Sequence, residues 1–316
     1  MAGDAAVPVS DLYDAGHGSA VAAALFARVP QFAGIQAQQI TALRGGITNT
    51  NYRITTAAAD FVLRIAGERT DTLGIDRRVE YAASCSAAAA GIAPGVVHMI
   101  EPEGYLVTDF IAGRMPLPEE LRSALWLDTI GALLRRVHAL PALGARFSGF
   151  EVVRTYTGLA RAGGAEFPVN FDTLRARLDV LEHALARRAF VERLCHNDLL
   201  NGNFLVDAQE RLFVLDWEYA GMGDPFFDLG NFSAHHELLP AHDLQLLAAY
   251  GATDTADLAR LNLMKIVSDF REAMWGVLQS AISGLDFDFR EYASTYFGRV
   301  ELRLQDPALP AWLAQV

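Results

Sequence analysis

The chain has almost no lysine: Lys265 is the only one, so arginine supplies 25 of the 26 basic residues. That lysine lies in Leu-Met-Lys-Ile-Val rather than in G-x-x-x-x-G-K-[ST], which excludes a Walker A phosphate loop and leaves arginine as the cation for any nucleotide phosphate. Cysteine is equally scarce. Cys85 and Cys195 lie far apart and outside any metal-ligand spacing, so a disulfide scaffold is excluded and a reducing compartment fits. Cys195 adjoins His196, but neighbours in a strand point to opposite faces, so it reads as a packed core thiol. Positive charge is short overall: the formal net charge of −12 argues against nucleic acid as a partner and leaves room for a cationic substrate. Long apolar runs are missing too. The stretch 20–27 is too short to span a bilayer and the N-terminus lacks a basic region, so the expectation is a cytoplasmic protein with no membrane partner.

What is present is a folded-protein composition, 52% hydrophobic and 20% charged over 316 residues, enough chain for two lobes around a cleft. The most informative segment is LCHNDLLNGNFLVDAQERLFVLDW, from Leu194 to Trp217. It carries His196, Asp198 and Asn203 in the spacing H-x-D-x-x-x-x-N. The apolar run Phe204-Leu205-Val206, the polar stretch 207–211 and the second run Leu212–Leu215 read as an antiparallel hairpin. Such a hairpin sets the start of its first strand beside the end of its second, on strands ~4.8 Å apart, so Asn203 and Asp216 are placed to share one hard cation. Magnesium suits them, because it takes one or two protein oxygens and fills its octahedron with phosphates and water. Asp198, five residues upstream of Asn203, is placed to accept a proton from an attacking hydroxyl. A catalytic-loop Asp, a catalytic-loop Asn and a metal-binding Asp after a hairpin are the parts of a phosphoryl-transfer site. The competing reading, that His196 and Asp198 only tie down a loop, fits each residue singly and the constellation poorly.

Upstream, residues 19–29 read as a helix stopped by Pro30, followed by strands over 39–43, 51–55 and 61–65. The first two strands are joined by Gly45-Gly46-Ile47-Thr48-Asn49, where a backbone could approach phosphates or merely make a tight turn. Arg64, between Leu63 and Ile65, points to the face opposite theirs. Glu80, on an alanine-rich helix over 76–90, is placed to brace it by a forked ion pair. Arg77 and Arg78 compete for the same carboxylate as surface partners. A strand over 105–110 closes the first lobe, giving 1–112 as a nucleotide-binding lobe and 113–316 as a catalytic and acceptor lobe. The second lobe reads as helical over 119–140, 172–186, 241–250, 257–282 and 291–304. His138 reads as a core histidine, and His235, His236 and His242 as packed or solvated rather than metal-bound.

The wording GGITNTNYRI, FVLRIAG, LRRVHAL, HNDLLNGNFL, LDWEYAGMGDPFFDLGN and WGVLQSAISGLDFDFREYA resembles the choline/ethanolamine kinase family, within the aminoglycoside phosphotransferase-like group. The resemblance implies an α+β, bilobal protein-kinase-like fold with a small antiparallel-sheet N-lobe and a larger, mainly helical C-lobe. It implies ATP and Mg2+ as cofactors, Asp198 as base, and Asn203 and Asp216 as metal ligands with the acidic Glu218 close by. Arg64 takes the phosphate-contacting role with Glu80 as partner, and Asp228 braces the catalytic loop; as a bare sequence feature, Asp228 reads as a helix N-cap.

For the acceptor, Trp275 and Tyr292 match two aromatic positions of a quaternary-ammonium pocket, worth roughly 0.5 to 2 kcal/mol per ring. Glu272 stands where animal choline kinases carry a second tryptophan, and His235-His236 where they carry Glu-Trp. A core role for Trp275 and Tyr292 is the other reading. The expected activity is phosphorylation of a small cationic acceptor, choline or ethanolamine, by a monomer or homodimer. Thiamine, an aminoglycoside or a sugar is an alternative acceptor, and a nucleotide-binding pseudokinase is an alternative function.

Overall fold

The computed structural model describes residues 15–43, 49–67 and 69–316. Gly45 and Gly46 lie outside the described residues. The chain divides into two compact units, one formed by 1–115 with 202–218 and the other by 116–201 with 219–316.

The first unit is built on an antiparallel sheet of β1 (Gln39–Leu43), β2 (Thr50–Thr55), β3 (Asp60–Ile65), β4 (Val96–Ile100) and β5 (Tyr105–Asp109), in the order β1-β2-β3-β5-β4. Alternation assigns its faces. Tyr52, Ile54, Leu63 and Ile65 point into a core with Ala22, Leu25 and Phe26 of α1 (Ala15–Phe26), while Asn51 and Arg64, paired in register, point the other way. The β2-β3 turn is set by Thr56, whose Oγ1 accepts from the N–H of Ala58 at 3.2 Å and donates to the Ala59 carbonyl at 2.7 Å. Helix α2 (Arg77–Ala89) starts where Asp76 caps it, accepting from the N–H of Arg78 and Val79. The same unit holds β6 (Gly113–Arg114), β8 (Phe204–Asp207) and β9 (Leu212–Val214), ordered β6-β8-β9. The hairpin, placed by sequence in the lobe 113–316, clusters with the first unit, where the Val214 N–H donates to the Ile92 carbonyl at 2.8 Å.

The second unit is helical: α3 (Pro118–Leu121), α4 (Ala124–Val137), α5 (Gly149–Ala162), α6 (Phe171–Leu185), α7 (Pro225–His235), α8 (Pro240–Tyr250), α9 (Thr255–Ile282), α10 (Phe289–Leu304) and α11 (Leu309–Gln315). One strand pair, β7 (Arg193–Cys195) with β10 (Gly221–Gly223), frames the catalytic-loop segment. The single helix expected over 119–140 is two, broken at Ser123, whose backbone is extended (ψ 154°) as it caps α4. Helix α5 carries no motif and was not anticipated.

Helix α9 is the axis of this unit. It runs 28 residues, about 42 Å at 1.5 Å per residue, and is buried on nearly every side between α5, α7 and α10. Three of its buried charges are paired with other elements: Arg260 with Asp224, Lys265 with Asp243 at 2.7 Å, and Asp269 with Arg299 and Arg303 at 2.9 and 2.6 Å. Close approach to α7 requires Gly230, where a Cβ would meet the Met264 Cβ at 2.7 Å and its backbone carbon at 2.8 Å.

Candidate active site

In the first unit, two arginines and three carboxylates converge. Arg64 Nη1 lies 2.6 Å from Glu80 Oε1, and its Nη2 lies 2.6 Å from both Asp216 Oδ1 and Glu218 Oε2. The pair Arg64–Glu80 therefore forms as the strand alternation implied, with Glu80 only 1% exposed. Arg77 joins from α2, donating to Glu80 Oε2 at 2.6 Å and Glu218 Oε2 at 3.2 Å, so the competing partner shares the carboxylate rather than displacing Arg64. Arg78 points away to Glu101. Asn49 donates to Glu218 Oε2 at 3.1 Å and accepts from the N–H of Gly67 at 3.2 Å, tying the start of β2 to the acidic group.

The hairpin has the expected register, Phe204 opposite Val214. The Asn203 carbonyl accepts from the N–H of Leu215 at 2.8 Å, and Asp216 follows with φ 65°, a left-handed backbone that turns its side chain out of the strand line. Burial and the neighbouring Asp216 push the Glu218 carboxyl up, against Arg64 and Arg77. Arg64 stays protonated throughout, its burial outweighed by Asp216, Glu80 and Glu218. Asp216 and Glu218 offer hard carboxylate oxygens of the kind Mg2+ takes.

In the second unit, residues 196–199 are held by two side chains of α7. Asp228 accepts from the N–H of His196 at 2.9 Å and of Asn197 at 2.7 Å, and also meets His138 Nε2 at 3.0 Å. Asn231 Oδ1 accepts from the N–H of Leu199 at 2.6 Å, while its Nδ2 donates to Ser268. Asp228 is thus not an N-cap: Asp224 caps α7, and Asp228 sits one turn in, aimed at the loop. Burial raises the Asp228 carboxyl, but hydrogen bonding from His138 and the loop holds it below the usual range. His196 Nδ1 accepts the N–H of Asp198 at 3.2 Å, and Asn197 takes φ 67°. The result is a loop whose backbone donors are satisfied from beneath, with Asp198 presented at its turn.

Asp198 is 8% exposed and faces Arg271 of α9, whose Nη1 lies 3.1 Å from Asp198 Oδ1. The same nitrogen contacts Glu272, and the Arg271 guanidinium lies 4.3 Å above the Tyr219 ring. Burial pushes the Asp198 carboxyl above the usual aspartate range, with Arg271 opposing. Glu272, expected as an acceptor-binding carboxylate, is 2% exposed, with both oxygens engaged: it contacts Arg271, takes the Tyr292 hydroxyl at 2.7 Å and lies 3.5 Å from His235 Nε2. Trp275 and Tyr292 meet edge-on at 5.2 Å between ring centroids, with Phe287 and Phe289 against them, and Trp275 is 8% exposed. His236 turns inward, stacking on Phe232 and bonding its carbonyl at 2.8 Å.

The structure thus gathers Asn49, Arg64, Glu80, Asp216 and Glu218 in one unit and His196, Asp198, Asp228, Glu272, Trp275 and Tyr292 in the other. The sequence offered Arg77 only as a competing surface partner and His138 only as a core histidine, and it did not single out Asn231 or Arg271. For Asn231 the signal existed in the Asp228-Leu229-Gly230-Asn231 run, where Gly230 marks a close approach and two polar residues flank it.

The phosphotransferase enzyme family matches residues 39–263. A choline/ethanolamine kinase family protein from Mesorhizobium loti has a TM-score of 0.79 at 31% identity, over 94% of this chain and 98% of that one. Choline kinase LicA from Streptococcus pneumoniae shares the fold, with a TM-score of 0.77 at 24% identity over 90% and 99% of the two chains. Mouse ethanolamine kinase 2 is 26% identical over 75% of this chain and 68% of its own. The chain belongs to the phosphotransferase enzyme family, on the choline/ethanolamine kinase side of it. It is a small-molecule kinase with a protein-kinase-like fold. No helix among the described residues is long and apolar enough to cross a membrane.

Proposed function

We propose that the protein transfers the γ-phosphoryl group of ATP to the primary hydroxyl of an amino alcohol, choline or ethanolamine, with Mg2+ as cofactor. The observation that carries this reading is the buried Asp198 carboxylate on a loop whose backbone is fixed by Asp228 and Asn231. The names of the relatives, the Trp275–Tyr292 aromatic pair and the excess of acidic charge support a small cationic acceptor.

In this reading the acceptor hydroxyl attacks the γ-phosphorus, the bond from phosphorus to the β,γ-bridging oxygen breaks, ADP leaves with the electron pair, and the hydroxyl proton passes to Asp198. Asp198 suits the task because burial makes it a stronger base than a surface aspartate while Arg271 keeps it anionic. Asn203, Asp216 and Glu218 are the residues that would hold Mg2+, which offsets charge on the transferring phosphates when bound. With Asp216 and Glu218 holding the cation, Arg64 would be free to contact donor phosphate, with Glu80 keeping its guanidinium aimed. Phosphoryl transfer through a loose transition state asks for positioning and charge rather than covalent work, and every residue assigned here positions or charges.

The test is 31P NMR of reactions containing ATP, Mg2+ and either choline, ethanolamine, thiamine, an aminoglycoside or a hexose. A phosphomonoester formed with choline or ethanolamine supports the reading; turnover of another acceptor with neither amino alcohol consumed rejects it. An aromatic cage favours the methylated cation, so the ratio of choline to ethanolamine turnover reads the contribution of Trp275 and Tyr292.

A further inference from the structure

Arg271 is the buried charge in the second unit that fold stability explains least. It is 2% exposed, and its Nε and Nη2 are buried without a hydrogen-bond partner among the described residues. Each such unmade bond is destabilising. Every other buried cation of α9 meets an acidic partner that shapes the helix packing: Arg260 with Asp224 and Lys265 with Asp243. Arg271 instead spends its Nη1 on Asp198 and on the adjacent Glu272, and lays its face over Tyr219. Glu272 is in turn held by Tyr292 and His235, and His235 Nδ1 meets the Tyr296 hydroxyl at 3.2 Å. A chain of contacts therefore runs from α10 through Glu272 and Arg271 to the carboxylate of the proposed base.

We propose that Arg271 is a positioning residue that orients Asp198 and supplies its counter-charge, and that Glu272 is the anion holding Arg271 in place rather than a bare carboxylate for the acceptor's ammonium group. This rests on Asp198 being the base. The groups facing Asp198 are Arg271 and Glu272 from α9, His235 from α7 and His196 from its own loop; Tyr219 and Tyr156 face Arg271. Removing Arg271 removes the strongest charge favouring ionised Asp198. Removing Glu272 removes the main charge opposing it and leaves Arg271 to Asp198 alone. The two substitutions therefore act in opposite directions, which a packing role for Arg271 does not produce.

The experiment follows the 13Cγ resonance of Asp198 with pH in the full chain labelled at aspartate, assigned by its loss in Asp198→Asn. Arg271→Gln is expected to move the Asp198 midpoint up by about one pH unit or more, Glu272→Gln to move it down, and Arg271→Lys to stay near wild type. Steady-state kinetics give a second readout: in Arg271→Gln kcat falls with acceptor KM little changed, and the acidic limb of the pH profile moves up. An unmoved midpoint in Arg271→Gln, or shifts of the same sign in Arg271→Gln and Glu272→Gln, overturns the proposal. Should Arg271→Gln fail to fold, Arg271→Met is read in its place, an upward midpoint supporting the proposal and an unmoved one contradicting it. The resonance needs no acceptor, so a wild type that phosphorylates nothing in the panel defeats the proposed function while the Arg271 assignment is still read.

Discussion

The N–H of Asn197 donates to Asp228 Oδ1 over 2.7 Å, and Asn197 holds a left-handed backbone at φ 67°. A non-glycine residue there costs on the order of 1–3 kcal/mol, so the loop keeps that turn only while Asp228 holds it. Asp228 is fully buried and also receives His196 N–H and His138. Asp228→Ala leaves these groups unpaired, with an expected loss of roughly 3 kcal/mol or more in urea denaturation and a fall in kcat larger than any change in acceptor KM. A variant with wild-type stability would show that the loop does not depend on this carboxylate.

Arg64 supplies the positive charge that meets Asp216 and Glu218, the residues proposed to hold Mg2+. Arg64→Ala leaves three converging carboxylates, one of them the buried Glu80, and breaking such a group costs about 3–5 kcal/mol. Because a divalent cation replaces the lost charge, Mg2+ without nucleotide is expected to raise the melting temperature of Arg64→Ala more than that of wild type. Calorimetry at fixed ionic strength checks this, with equal increments in both proteins as the contrary result.

Gly230 lets α7 lie against α9 with a virtual Cβ 2.7 Å from the Met264 Cβ. Gly230→Ala forces the helices apart, an overpacking cost of about 1–3 kcal/mol. Since Asp228 and Asn231 ride on α7, activity is expected to fall along with the midpoint of thermal unfolding. Activity that persists undiminished in a destabilised variant would separate the helix contact from the loop.

His236 is buried against Phe232, and burial lowers its pKa from 6.5 to about 4. The unfolded chain then binds more protons than the folded one between these values, so this group's contribution to stability is complete above pH 6.5 and is lost as pH falls towards 4. The size is roughly 3 kcal/mol at 1.36 kcal/mol per unit. Asp198, raised by burial, contributes with the opposite sign as pH rises past the aspartate range. Comparing His236→Gln with wild type isolates the histidine: the variant's stability should vary less between pH 7 and 4. Parallel curves would show that His236 ionises freely in the folded protein.

The parts of the site legible in the sequence are those whose geometry is local. The hairpin fixes the Asn203 and Asp216 ends by register, and strand alternation alone sends Arg64 away from Leu63 and Ile65. Glu80 is reached because it opens a helix whose cap, Asp76, is itself a sequence signal. Arg271 was missed for a physical reason. A helix buried all round has no polar face against which an inward charge stands out, so Arg271 and Lys265 read alike until their partners from other elements are seen. Arg77 misled in the opposite sense, since its i,i+3 spacing to Glu80 is that of an ordinary surface pair. The helices over 119–140 were merged because Arg122 and Ser123 interrupt the backbone without interrupting the apolar periodicity.

The central claim is that Asp198 is the base of an acceptor-dependent phosphotransferase. It is tested most directly by ADP release with ATP and Mg2+, measured with and without choline or ethanolamine, in wild type and Asp198→Asn. The account predicts acceptor-dependent release in wild type and a loss of about 10²–10⁴-fold in the variant with ATP binding retained. Acceptor-dependent release at the wild-type rate in Asp198→Asn would contradict it.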